Sequence, residues 1–105
     1  MMTEKQDRRR RADDIYKVLV RIYRGESPTA EEIAGAPQLD FWTIGAENGC
    51  LVLHGVVTGH PLLEEGDYIR TSALMWLSDD RKIARTVSRF YKLGVRFDEV
   101  LAQSQ

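Results

Sequence analysis

At 105 residues, 43% hydrophobic and 30% charged, the chain fits one globular domain over 1–105. A domain of that size buries roughly two-thirds of its unfolded surface. With 15 basic and 16 acidic residues the net charge is −1, so no global field favours nucleic acid or membrane, and such a role needs a local patch. The single cysteine, Cys50, excludes an internal disulfide framework, no apolar run approaches the ~18 residues of a membrane span, and no apolar signal segment follows the N-terminus. A soluble cytoplasmic protein without a membrane role is expected.

Residues 1–7 are polar and expected to be flexible. From about Arg8 to Arg24, Ala12, Ile15, Leu19 and Ile22 recur at helical steps, widened by Tyr16, Val18 and Tyr23, and Gly25 is the stop. Thr29 with Glu32 forms a capping box that predicts a short second helix over 30–34. Leu39, Phe41, Trp42 and Ile44 form an apolar cluster and short strand before the turn Glu47-Asn48-Gly49. Cys50–Thr58 reads as a strand, and Gly55 inside it marks a bulge or a close backbone approach. Two further strands are predicted over about Tyr68–Leu77 and Lys82–Tyr91, joined at Asp79-Asp80, with a terminal helix over 95–102. The order is α+β: a long N-terminal helix and a short second helix packed on an antiparallel β-meander of three to four strands, flat or strongly curved.

The predicted last hairpin yields a candidate surface. With Asp79-Asp80 at the centre of the turn, Leu74 faces Arg85, Trp76 faces Ile83, Tyr68 meets Tyr91 and Arg70 meets Arg89. Two opposed arginines need an anion or carboxylate between them. Arg70, Arg85 and Arg89 flanked by Tyr68 and Tyr91 therefore form a candidate partner-binding patch, unless carboxylates of the same chain already occupy it. His60, a loop histidine before Pro61, joins the candidate partner-binding set.

Other groups are weaker. Arg8-Arg9-Arg10-Arg11 is the one dense basic run and could meet nucleic-acid phosphates, but Asp7, Asp13 and Asp14 flank it and no aromatic interleaves, as a solvated helix start would have it. Cys50, His54 and His60 lack the matched spacing of a metal site, so no metal or other cofactor is expected. Ser72 or Ser88 with His60 makes a triad on paper only, since no nucleophile-elbow sequence supports it. Phe41-Trp42, Trp76, Phe90 and Tyr91 read as core, and an exposed tryptophan among them would mark a partner surface.

Gly59-His60-Pro61, Ile69-Arg70-Thr71-Ser72 and Ala84–Gly94 resemble the block G-H-P … I-x-T-S … A-R-T-x-S-R-x-Y-x-L-G of a small proteobacterial domain-of-unknown-function family. The similarity spans about residues 36–94, and Cys50–Pro61 matches its first part with an extra residue or two. The resemblance implies a bacterial cytoplasmic protein encoded by a mobile element, and brings no activity, cofactor or site residue. The leading expectation is a non-enzymatic binding or regulatory module acting by protein–protein contact or self-association, one version being an inhibitor of a host defence complex. The alternatives are a nucleic-acid-binding protein using Arg8–Arg11 and the strand arginines, and a small enzyme built on His60.

Overall fold

The computed structural model describes residues 3–103, with only the backbone of Asp7. In chain order it contains α1 (Glu4–Tyr23), α2 (Ala30–Ala34), β1 (Gln38–Glu47), β2 (Cys50–Thr58), β3 (Tyr68–Arg70), β4 (Leu74–Leu77), β5 (Ile83–Thr86), β6 (Phe90–Leu93) and α3 (Phe97–Gln103). Each of the first two helices starts at a threonine. Thr3 with Gln6, and Thr29 with Glu32, satisfy backbone N–H groups reciprocally, forming capping boxes. The first helix therefore begins at Glu4, inside the stretch expected to be flexible; Met1 and Met2 lie outside the described residues. Arg21 and Glu32 join the two helices through a paired contact, at 2.6 and 3.2 Å.

The expected three- to four-stranded antiparallel meander is replaced by a six-stranded mixed sheet, in the order β3-β2-β1-β6-β5-β4. All neighbours are antiparallel except β1 and β6, which run parallel. Both long strands predicted in the last third break where a hydroxyl captures backbone groups, which offers the chain an alternative to the ladder. At the first break, Thr71 Oγ1 accepts the Leu53 N–H at 3.0 Å and donates to the Ser72 carbonyl at 2.8 Å. At the second, Thr86 Oγ1 accepts the Ser88 and Arg89 N–H groups, both at 3.3 Å, and turns the chain at Val87-Ser88.

This order fixes the shape of the sheet. A flat six-stranded sheet would separate its edges by five spacings of ~4.8 Å. Here the edge strands β3 and β4 are joined by Thr71-Ser72-Ala73 alone, a link that reaches at most about 14 Å. The sheet must curl. The link is stitched on both sides: the Thr71 N–H donates to the Leu53 carbonyl at 2.8 Å, the Val87 N–H to the Ala73 carbonyl at 2.9 Å, and Ser72 Oγ to Ser88 Oγ at 3.0 Å.

Curling gives the sheet an inner and an outer face. Leu39, Trp42, Leu53, Val57, Ala84, Tyr91 and Leu93 fill the inner core. Strand alternation sends Trp76, Ile83 and Phe90 outward, where Val18 and Ile22 of α1 and Ala36 cover them. Helix α1 thus covers the β4–β6 half of the outer face. Its own first half is uncovered: every described side chain from Thr3 to Asp14 is exposed.

In β1, Phe41 and Trp42 together oppose Gly55 of β2, and the register shifts by one residue between Asp40 and Thr43. This is the bulge that Gly55 foreshadows, and a close approach as well. A Cβ on Gly55 would come within 2.8 Å of the Asp40 carbonyl oxygen. The β4–β5 hairpin is slipped by two residues from expectation, with Trp76 opposite Arg85 and Leu77 opposite Ala84. The turn is longer than Asp79-Asp80 because Ser78 Oγ accepts the Lys82 and Ile83 N–H groups and Arg81 adopts φ 58°.

Removing the hydroxyl that closes the curl leaves the buried Leu53 N–H without its side-chain acceptor. Thr71→Val is expected to cost about 1–3 kcal/mol in urea unfolding, whereas Ser72→Ala, at an exposed contact, costs under ~1 kcal/mol. The Arg21 hydrogen bonds, with the Thr29 cap, hold the Glu32 carboxyl down to about 2 from an ordinary 4.5. A carboxyl depressed on folding stabilises fully above its unfolded value, and this is lost as pH falls through its folded value. Glu32→Gln should therefore flatten the fall in stability between about pH 4.5 and pH 2, measured by urea unfolding across that range.

Candidate functional site

The six residues singled out in the sequence are dispersed to three places. Arg85 is buried beneath α1, with Nε donating to the Thr86 carbonyl at 2.9 Å and its guanidinium 5.0 Å from the Phe90 ring centroid. Burial pushes its pKa down, opposed by the charges of Glu32 and Asp14. It braces the β5–β6 turn.

A second group is His60, Arg89 and Tyr91. The His60 ring lies 6.2 Å from that of Tyr91, and its Nδ1 accepts the Leu62 N–H at 3.0 Å, which leaves the ring proton on Nε2. Burial, and then the charge of Arg89, lower the His60 pKa. Burial raises the Tyr91 pKa, with Arg89 opposing. Among the described residues no carboxylate or hydroxyl hydrogen-bonds to His60, while Ser72 and Ser88 bond to each other.

The third group lies on the outer face of β1–β3, which α1 does not cover. Arg70 faces His54 of β2, not Arg89, because β3 leaves the expected hairpin to pair with β2. Its guanidinium meets Glu47 at 2.5 Å, so a carboxylate of the same chain takes the place reserved for an anion. With Arg85 buried and Arg70 paired, two of the three strand arginines do not extend the basic run Arg8–Arg11.

Beside that ion pair lies a depression of about 380 Å³ lined by Phe41, Thr43, Tyr68 and Phe97. Tyr68 is 68% exposed and Phe41 44%. The Tyr68 ring stacks on His54 at 6.2 Å and 21°. His54 in turn occupies space left by Gly45, where a Cβ would come within 2.9 Å of its Nε2. Phe41 stands in the bulge with φ 52°, a left-handed conformation that costs a non-glycine residue roughly 1–2 kcal/mol. The adjacent Trp42 turns inward, is 2% exposed, donates from Nε1 to the Gly94 carbonyl at 3.1 Å and lies under the Arg96 guanidinium. The exposed aromatic is thus Phe41 and neither tryptophan. Of the residues lining this depression, the candidate set named Tyr68 alone. The signal for Phe41 was present: adjacent aromatics in a strand face opposite sides, and Gly55 announced the bulge that displays one of them.

The depression offers aromatic faces and edges and the Tyr68 hydroxyl, while the Arg70–Glu47 ion pair lines a separate hollow with Cys50 and Val52. It suits an apolar, aromatic or cationic side chain from another molecule. Cys50, His54 and His60 do not converge, and among the described residues no three His, Cys, Asp or Glu side chains are grouped to hold a metal ion. No helix among them is long and apolar enough to cross a membrane.

The model of a family of unknown function, DUF6634, matches residues 7–104, and the chain belongs to that family. No curated protein and no solved structure matches it.

If Phe41 is displayed at a cost to the fold, its truncation should be nearly free. Phe41→Gly, which suits φ 52°, is expected to leave stability unchanged or raise it by up to ~1 kcal/mol in urea unfolding. A loss above ~2 kcal/mol would show that the ring is a packing element instead.

Proposed function

We propose that this chain is a non-enzymatic binding module that holds a protein partner on the outer face of β1–β3, which α1 does not cover. The observation that carries this reading is the aromatic depression of Phe41, Tyr68 and Phe97, each more than 40% exposed. Large aromatic side chains left in solvent are among the residue types that dominate binding energy at protein interfaces. The β4–β6 half of the same sheet buries its outward Phe90, and part of Trp76, under α1. On the β1–β3 half the short helix α3 packs on β1 and contributes Phe97 to the depression, and a partner element would cover the rest as α1 covers the other half. The strained Phe41 supports the same reading, since unfavourable backbone geometry concentrates at ligand-contact sites.

The test is affinity capture from an extract of the cells that produce the protein, using wild type, Tyr68→Ala and a chain with Arg8–Arg11 replaced by glutamine. Tyr68→Ala should reduce recovery of a specific protein at least about 10-fold, as for an interface residue worth over ~1.4 kcal/mol. The arginine replacement should leave that recovery unchanged. Equal recovery by wild type and Tyr68→Ala would reject the depression as the contact. A gel shift at low salt that needs Arg8–Arg11 would favour nucleic acid instead.

A further inference from the structure

We infer that the segment held on this face is basic, an arginine- or lysine-bearing peptide stretch of the partner. The inference rests on the reading of the depression as a binding site and specifies its occupant. Each aromatic wall of the depression has an aspartate as its chain neighbour: Asp40 before Phe41, Asp67 before Tyr68 and Asp98 after Phe97. Asp98 is paired with Arg96, and the Asp40 carboxylate accepts from Gln38 Nε2 and the Val95 N–H. Asp67, next to Tyr68 and within the ~8 Å screening length by chain connectivity, carries the least compensated charge of the three.

The near-neutral net charge conceals a segregation that the fold makes spatial. Residues 38–70, which build β1–β3 and their connections, hold five carboxylates (Asp40, Glu47, Glu64, Glu65, Asp67) against one cation, Arg70. Residues 71–96, which build β4–β6, hold six cations against Asp79 and Asp80. Two cations of this region are already engaged, Arg70 with Glu47 at 2.5 Å and Arg96 with Asp98 at 3.3 Å and over the Trp42 ring, so each pair is close to neutral. Asp67 makes no ion pair among the described residues. An aromatic floor within a negative field selects a guanidinium or ammonium, which gains from the ring quadrupole and from the carboxylates together.

The experiment measures fluorescence polarisation with three labelled dodecapeptides: four repeats of arginine-leucine-glycine, and the same with glutamine or glutamate in place of arginine. The arginine peptide should bind at least 10-fold more tightly than the glutamine peptide, and the glutamate peptide should not bind. Tyr68→Ala should weaken the arginine peptide about 10-fold, Asp67→Asn with Asp98→Asn should weaken it 3- to 10-fold, and 0.3 M salt should weaken it further. Equal binding of the arginine and glutamine peptides, lost in Tyr68→Ala, overturns the basic occupant while leaving the binding site itself standing. Arginine-peptide binding indifferent to Tyr68→Ala, or no binding by any peptide, also overturns the inference, and the capture experiment then decides separately whether the depression is a contact at all. Sedimentation of the chain alone covers the remaining occupant. Self-association abolished by Tyr68→Ala would make the occupant a second copy and overturn a foreign basic segment.

Discussion

Three residues, Thr71-Ser72-Ala73, connect the two opposite edges of a six-stranded sheet, and the rest of the molecule follows from that connection. So short a link cannot cross a flat sheet, so the sheet curls until Leu53 on one side and Val87-Ser88 on the other come within hydrogen-bonding distance of it. The hydroxyls of Thr71, Ser72, Thr86 and Ser88 supply much of the stitching. Polar residues where strands ordinarily carry apolar ones are thereby explained. They mark where the strands end and where the curl is fastened.

Curling divides the hydrophobic work between two cores. The inner face collects Leu39, Trp42, Leu53, Val57, Ala84, Tyr91 and Leu93. The outer face of β4–β6 needs a second cover, and Val18 and Ile22 of α1 provide it. One helix covers one half of the outer face. Arg85 shows the consequence, because the covered half buries a guanidinium among carbonyls and an aromatic ring where the sequence suggested a surface charge. The half that α1 does not reach displays Tyr68 and Phe41, with Phe97 of α3 beside them, and the proposed function rests on that asymmetry.

Local features were legible because local forces decide them. The second helix begins and ends as its capping box and Gly35 direct, β2 occupies Cys50–Thr58 as its β-branched run requires, and Gly55 lies opposite a bulge. The turn Asn48-Gly49 takes positive φ at both residues, 50° and 78°, the geometry that sequence favours in a two-residue hairpin. The candidate site was legible only in part. Tyr68 and Arg70 belong to the exposed face, while Arg85, Arg89 and Tyr91 were grouped with them through a strand pairing that does not form, and His60 was added as a loop histidine. That pairing treated 68–77 and 82–91 as unbroken strands, and the hydroxyls of Thr71 and Thr86 break both.

By itself, the sequence determined an α+β chain, its helix caps, its strand β2, its bulge and the residue types available for chemistry. Each depends on contacts within a few positions, or on the alternation of one strand. Only the tertiary structure decided which strands neighbour one another, that β1 and β6 run parallel, and which aromatics remain in solvent. Those outcomes depend on pairing residues far apart in the chain, such as Leu39 with Leu93 and Thr71 with Leu53. A one- or two-residue slip is invisible in composition, yet it changes every partner a side chain meets.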